Sequence, residues 1–503
     1  MSPQESLEVE LKFDVESGAP TPDLAPLVPG GRAGSPITYR LEAVYFDTAD
    51  HRLAAQRITL RRRTGGTDGG WHLKRPGGSA TARRELRVDF GEAPADGGVP
   101  AEIGDLVVAA VRGRELVEIA TLTTTRTVRV LYGDDDQPLA EFCSDRVVAQ
   151  KHPAPGGSAD EPQQWSEWEL ELTGDGDRDG DAVLLANAKK LIKQAGGRRP
   201  ESSSKLARAI GSVPCDDEPL RLPKKPTGLD LVRVTLDAHR RRLLLLDPLV
   251  REDADDAIHQ MRVTARKIRS VLTSFPDVLD DAVAEPVVDE LTELGQMLSD
   301  ARDCEVQAEI ESELLDAENG PDELRAALLD GEHARRARAV KSLRFGMSTP
   351  RYFALLESLD ALVDDPAPGP NAERPAEAVA RDGVAHARKR LRKAEKKLDE
   401  TEPQSADWEE QLHRIRKRAK TLRYVALAAE PLHHKKFHKI ATHASRIQTH
   451  LGDFQDAVVT RERLQRLAVR GDLSGASMFV LGRIDAQTQA HGRDALERYL
   501  RDR

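Results

Sequence analysis

The stretch LEVELKF, residues 7–13, puts Glu8, Glu10 and Lys12 on one face of an extended strand and Leu7, Val9, Leu11 and Phe13 on the other. The pattern recurs downstream. Arg61 and Arg63 alternate with Leu60, His72 and Lys74 with Trp71 and Leu73, and Glu85 and Arg87 with Leu86 and Val88. Glu141 and Asp145 share a face, as do Glu167, Glu169 and Glu171. A single charged face is an ordinary solvated surface, but the same face on strand after strand predicts a closed or nearly closed barrel with a polar lumen. Lys and Arg suit phosphate oxygens. Clustered carboxylates without thiols suit a hard divalent cation, Mg²⁺ or Mn²⁺. Both together are equipment for hydrolysing a phosphoanhydride.

A second constellation lies on helices. Residues 258–271, IHQMRVTARKIRSV, and 412–425, LHRIRKRAKTLRYV, repeat one set of offsets. His259, Arg262, Arg266 and Arg269 form one stripe, and His413, Arg416, Lys420 and Arg423 form its copy, with Lys417 beside it. Ile258, Met261, Ala265, Ile268 and Leu272 make the neighbouring apolar stripe that faces a core. Within each stripe there is no acid, so the like charges repel by tenths of a kcal/mol per pair, as an order of magnitude, unless an anion neutralises them. Asp300, Asp303, Asp453 and Asp456 are placed either to fix those arginines or to form an internal ion-pair lattice. His239 and His386 are further donors to this surface, or core histidines.

These groups need two kinds of scaffold. Residues 6–173 alternate with period two between Gly- and Asp-rich breaks, followed by a helical stretch at 181–195. A Pro-rich linker is expected at 213–228. From 229 onward the period is helical, broken at 364–375 by DDPAPGPNAERP, which reads as a second linker. The matching histidines and the LSDARD (298–303) and LGDFQD (451–456) segments indicate an internal duplication, 229–363 and 376–503. The expected fold is α+β and multidomain: an N-terminal antiparallel β-tunnel, then an all-α domain of two pseudo-symmetric four-helix bundles.

The chain carries a net charge of −10, and 32% of its 503 residues are charged, which argues against a general nucleic-acid binder. Eleven of the fourteen histidines nevertheless follow residue 230, mostly beside Arg and Lys, which suits a confined anionic ligand. No run approaches a membrane span, the start MSPQESLEVELKF is unlike a signal peptide, and the three cysteines follow no disulfide or metal spacing. A cytoplasmic protein is expected.

The N-terminal pattern resembles the CYTH, or triphosphate tunnel metalloenzyme, family. LEVELKF matches its ExExK signature, and YFDT (45–48), LRRR, HLKR, RRELR, TTTR (123–126), AEFCSD (140–145), EWELEL and SSSK (202–205) follow in the family's order. The resemblance covers residues 5–212 and gives a domain at 1–212. It implies that Lys12, Arg61, Arg63, Lys74, Arg83, Arg84, Arg87, Arg126 and Lys205 line a triphosphate path. It also implies that Glu8, Glu10, Asp145, Glu167, Glu169 and Glu171 hold Mg²⁺ or Mn²⁺. In the implied reaction water attacks the terminal phosphorus, Glu169 or Glu171 accepts its proton, and Lys12 steadies the attacked phosphoryl group. Residues 229–503 resemble the CHAD, or conserved histidine α-helical, domain. That resemblance implies a basic groove for long-chain inorganic polyphosphate, formed by His239, His259, Arg262, Arg266, Arg269, His386, His413, Arg416, Lys417, Lys420 and Arg423.

Joined, the two readings predict an inorganic triphosphatase whose helical domain binds polyphosphate. The alternative is a slow or silent tunnel in a protein that docks to polyphosphate, including granules. Tripolyphosphate and polyphosphate are the expected partners, with no membrane and no nucleic acid.

Overall fold

The computed structural model describes residues 4–76, 82–90, 98–153, 160–174, 178–211, 213 and 219–503, without the side chains of 4–8 and 82. The chain divides into two compact units, Met1–Glu218 and Pro219–Arg503.

The first unit is built on nine strands among the described residues: β1 (Gln4–Val15), β2 (Arg32–Ala33), β3 (Ile37–Asp47), β4 (Thr59–Thr64), β5 (Gly70–Pro76), β6 (Ala82–Val88), β7 (Val117–Tyr132), β8 (Pro138–Lys151) and β9 (Gln163–Leu172). All pairings are antiparallel, in the order β2-β7-β3-β4-β5-β6-β1-β9-β8. Because β7 also pairs with β8, eight strands close into a ring and short β2 adds to β7.

Strand alternation then sorts the side chains. Trp71, Leu73, Leu86 and Val88 point outward and are buried under Ile103, Leu106, Val107 and Ala110 of a helix, α2 (Ala101–Val111), which follows a one-turn α1 (Arg52–Ala55). Phe13, Phe142, Trp168 and Leu170 are likewise covered by Leu184, Ala188 and Ile192 of α3 (Asp181–Gln194). The apolar residues are drawn outward beneath helices, so the charged alternates are left inside. The last helix of the unit, α4 (Lys205–Ile210), packs on β7 and β8, where Leu206, Ala209 and Ile210 join Tyr45, Leu122, Val147 and Trp165 in a separate core. Ser204 caps α4 by accepting from the Ala207 N–H at 3.1 Å, which fixes the start of the helix at Lys205.

The aspartate of YFDT has a structural task. Asp47 is fully buried and accepts the backbone N–H groups of Thr48, Leu53 and Ala54 at 2.7, 2.8 and 2.9 Å, tying α1 to the end of β3. Burial raises its pKa, and those N–H donors oppose the rise. Asp47→Ala leaves three buried donors without an acceptor and is expected to cost about 2–4 kcal/mol, read as a lower denaturant midpoint at unchanged m.

The second unit is helical. Its first half contains α5 (Gly228–Arg251), α6 (Ala257–Ser274), α7 (Asp281–Ala317), α8 (Asp322–Gly346) and α9 (Pro350–Asp364). Its second half contains α10 (Ala376–Asp399), α11 (Ala406–Ala429), α12 (His434–Arg470) and α13 (Gly475–Asp502). The order of packing repeats, α5 on α6 on α7 on α8, then α10 on α11 on α12 on α13. The first half adds a fifth helix, since α9 packs on both α5 and α7. The halves meet chiefly through α6 and α11, the two helices that carry the repeated stripes.

The linker-like stretch 364–375 is tied to its surroundings by backbone hydrogen bonds. The Asp280 N–H donates to Ala367 O at 3.0 Å, Gly369 N–H to Val278 O at 3.0 Å, and Gly228 N–H to Arg374 O at 2.7 Å. Gly369 is needed there, because a Cβ would sit 2.5 Å from Asp277 O. The prolines signalled a break in the helix, but they say nothing about whether the extended backbone finds partners.

Candidate functional site

Inside the ring, strand register sets charged groups in rows. Glu10 on β1 lies opposite Glu171 on β9, which lies opposite Glu141 on β8. In the next row Lys12 faces Glu169, and Glu169 faces Cys143. Beyond it Glu167 faces Asp145, and Asp145 faces Arg126 on β7. Across the lumen, Arg61, Arg63, Lys74 and Arg83 line the same cavity of about 210 Å³ as Glu10, Lys12, Arg126, Glu169, Glu171 and Lys205.

The middle rows form one bonded network. Arg126 grips Asp145 with two bonds, 2.9 and 2.6 Å, and reaches Glu169 at 2.5 Å. The Lys205 ammonium lies 3.0 Å from Asp145, 2.5 Å from Glu167 and 2.8 Å from Glu169. Lys12 sits between Glu10 at 3.0 Å and Glu169 at 3.2 Å. Burial opposes the charge on Lys12, Lys205 and Arg126, but the surrounding carboxylates outweigh it and raise all three pKa values. Burial also works against the Glu169 anion, but Lys205, Lys12 and Arg126 hold its carboxyl well below the usual range. Glu171 differs. Burial raises its pKa, Lys74 opposes the rise, and the like charges of Glu10 and Glu169 add to it. Arg63 is pushed down to about 9 by burial and by Arg61 and Arg126.

Two seats for a divalent cation follow. Asp145, Glu167 and Glu169 can bring one oxygen each within 4.8 Å of the others, but the Lys205 ammonium already bonds to all three. The looser row of Glu10, Glu171 and Glu141 sets like charges side by side on three adjacent strands, a repulsion that a cation would relieve. An all-oxygen set of few carboxylates, with room for water and substrate oxygen, fits Mg²⁺ or Mn²⁺. Glu8 lies outside the described side chains.

Four tunnel candidates are placed apart from the cavity lining, one of them Asp145, which is buried behind Arg126 and Lys205. Arg84 is exposed and has the parity of the outward residues Leu86 and Val88, so it does not face the lumen. Arg87 has the inward parity but is turned to Gly69 O at 3.4 Å and Asp89 at 3.0 Å. Glu167 stands behind Lys205, donated to by the Trp165 indole at 2.6 Å. Glu85 and Glu141 line the cavity and were legible only as members of a charged face; Tyr45 and Thr124 carried no such signal.

In the helical unit α6 and α11 bring their stripes together. Lys420 is pushed down to about 7 by burial and by Arg416, Arg266 and Arg262, with Asp456 opposing. Charges from both halves therefore act on one ammonium. Arg262 reaches Ser299 at 3.2 Å and Asp303 at 3.5 Å. Arg416 lies over Gly452 of α12. Asp456 feels Arg416, Lys420, Asp453 and Asp303, so the repeated aspartates meet as well. Asp300 accepts from Gln296 instead. The δ nitrogen of His259 and the ε nitrogens of Arg262 and Arg416 are buried and have no hydrogen-bond partner. His413 shares this environment with Lys417, whose side chain is exposed, and with Arg416.

Of the remaining helical candidates, Arg269 and Arg423 have other bonding partners, although Arg423 still acts on Lys267 of α6 and Arg269 stands beside Arg266. Arg269 donates to Thr292 at 3.1 Å and Arg423 to Gln448 at 3.3 Å. His239 lies near Lys267 and is lowered to about 4, by burial and by that cation. His386 is exposed and lines a different cavity, of about 430 Å³, with Phe275, Arg390, Arg418 and Val425. The sequence placed His239 and His386 in register with the stripes but could not show which side of α5 and α10 faces them.

A closed tunnel of antiparallel strands, lined by cations and carboxylates and followed by a duplicated helical unit, defines a tunnel-fold protein whose function concerns phosphate. The family model of the CYTH domain matches residues 6–210 and that of the CHAD domain residues 234–465. The chain belongs to the proteins that join these two domains. Two relatives, uncharacterized proteins MT2285 and Rv2226 of two Mycobacterium tuberculosis strains, CDC 1551 / Oshkosh and ATCC 25618 / H37Rv, are each 40% identical over 514 residues, covering 99% of this chain and 96% of theirs. Among solved structures, the CHAD domain of the plant Ricinus communis is 26% identical with a TM-score of 0.43, covering 57% of this chain and 94% of that one. PptA from Streptomyces chartreusis is 19% identical with a TM-score of 0.46, covering 55% and 99%. CYTH domains depend on divalent metals, which the acidic rows fit. No helix among the described residues is long and apolar enough to cross a membrane.

Proposed function

We propose that the tunnel hydrolyses inorganic triphosphate with a divalent cation and that the seam between α6 and α11 binds long-chain polyphosphate. The observation that carries the first half is the division of the lumen: Arg61, Arg63, Lys74 and Arg83 face the row of Glu10, Glu171 and Glu141, where carboxylates stand side by side and like charges raise the Glu171 pKa. Glu10, Glu171 and Glu141 are the residues to hold Mg²⁺ or Mn²⁺, with Glu169 beside them. The ion supplies charge neutralisation on the phosphate and activation of water. The chain supplies the rest. Arg61, Arg63, Lys74, Arg83 and Arg126 bind and align the phosphates, and Lys12, fixed between two carboxylates, sets a permanent positive charge beside the attacked group. Of the two acceptor candidates on β9, Glu169 is held as a firm anion by Lys205, Lys12 and Arg126, whereas the Glu171 pKa is raised by burial and like charge until a cation relieves it.

The second half is supported by the crowding of cations in the seam, which with burial outweighs Asp456 and pushes Lys420 down. An anion there would restore the proton on Lys420. The sign follows from its depressed pKa: the unfolded chain keeps that proton up to about 10.5, whereas the folded one loses it above about 7. Folding stability therefore rises as pH climbs from 7 toward 10.5, while polyphosphate affinity falls over the first part of that range. Binding at pH 8 is expected to take up a proton, seen as a calorimetric heat that depends on buffer ionisation enthalpy. Lys420→Arg should remove the dependence.

A substrate panel from pyrophosphate to long-chain polyphosphate tests the whole reading. Mg²⁺-dependent release from tripolyphosphate is expected. Failure to release phosphate from any member would overturn the catalytic half.

A further inference from the structure

The hairpin between α11 and α12 carries a group that belongs to neither site. Glu430 caps the C-terminus of α11, and His434 and His438 stand one turn apart at the start of α12. The Glu430 Oε1 lies 3.0 Å from His438 Nδ1, and its Oε2 lies 3.7 Å from His434 Nδ1. The two rings are 5.1 Å apart, and one ligand atom from each of the three residues falls within 4.8 Å of the others. We propose that Glu430, His434 and His438 form a site for a borderline transition metal such as Zn²⁺ or Ni²⁺.

A plain hydrogen bond explains only half of this arrangement. The His438–Glu430 distance is a hydrogen bond, but 3.7 Å to His434 is beyond one. Both δ nitrogens nevertheless approach the same carboxylate. With bonds of about 2.0–2.1 Å, two ligands of a tetrahedral ion are about 3.4 Å apart, and each imidazole nitrogen lies near that distance, 3.0 and 3.7 Å, from one or the other oxygen of the same carboxylate. Two imidazole nitrogens and one oxygen select Zn²⁺ or Ni²⁺ over Mg²⁺, whose preference is for oxygen alone. The imidazoles are 71% and 58% exposed, so water can complete the coordination. Lys435, Lys436 and Lys439 flank the group and weaken its hold on any cation without blocking it. An ion held there bridges α11 to α12 across the Pro431–His433 turn, so it stabilises the folded chain by mass action.

The test uses the intact chain, stripped of metal and free of phosphate, titrated with Zn²⁺ and Ni²⁺ in millimolar Mg²⁺ so that the tunnel carboxylates are occupied. One equivalent of Zn²⁺ is expected to bind and raise the melting temperature. His434→Ala/His438→Ala should abolish both effects, and Glu430→Gln should weaken binding about tenfold or more. Glu171→Gln, in the tunnel, should retain both. Because the two histidines are exposed, the variant keeps its fold, which circular dichroism checks. Unchanged Zn²⁺ binding in the histidine variant, or no binding to the parent that survives Mg²⁺, would overturn the site.

Discussion

Glu171→Gln is expected to lower Mg²⁺-dependent phosphate release from tripolyphosphate about 100- to 1000-fold while making the metal-free protein more stable. The loss corresponds to about 3–4 kcal/mol of transition-state stabilisation, in the range that a bound cation supplies. The gain has a separate origin. Glu171 lies between Glu10 and Glu141 in register, and its pKa is raised by burial and by like charges. A carboxyl raised on folding weakens the folded state where it is ionised, and the folded state recovers as pH falls through the raised value. Glutamine keeps the shape and removes the charge, so about 0.5–1 kcal/mol of cross-strand repulsion disappears. Opposite signs for activity and stability would mark Glu171 as a residue kept for chemistry. A purely structural glutamate would lose both together.

The second large effect belongs to the helical unit. Arg266→Ala/Arg416→Ala should weaken long-chain polyphosphate binding about 100- to 10,000-fold, since each charge-assisted contact contributes about 1.5–3 kcal/mol. The slope of log affinity against log salt should fall by about 1.5, as expected when two counterion-releasing contacts are lost. The double variant also relieves the two strongest cationic neighbours of Lys420, so that lysine should regain part of its ordinary basicity. Fluorescence anisotropy with labelled polyphosphate across a salt series measures the first two quantities. Hydrolysis of tripolyphosphate, which needs only the tunnel, should be unaffected.

Much of this was legible because it rests on period. Alternation in LEVELKF and EWELEL fixed which side chains share a face, and the eight-strand ring turns those faces inward. The repeated offsets of His259 to Arg269 and His413 to Arg423 placed two stripes, and the packing of α6 on α11 shows that they share one seam. What period cannot tell is which residues of a charged face actually line the cavity. In RRELR, alternation gives Arg83 the parity of Glu85 and Arg84 that of Leu86; the resemblance admitted both to the tunnel, and the burial of Leu86 and Val88 beneath α2 leaves Arg84 outside. Nor can it say which acid meets which base. Lys205 comes to the Asp145, Glu167 and Glu169 cluster from a helix far along the chain, because α4 packs on β7 and β8. The fifth helix, α9, breaks the duplication without a sequence signal, since its own pattern is that of any amphipathic helix.

The most direct measurement is phosphate release from tripolyphosphate by the intact chain with and without Mg²⁺, run beside Glu171→Gln and Arg266→Ala/Arg416→Ala. The account predicts Mg²⁺-dependent release that the tunnel substitution removes and the helical substitutions leave in place. Release that survives Glu171→Gln undiminished, or that disappears with the helical pair instead, would contradict it.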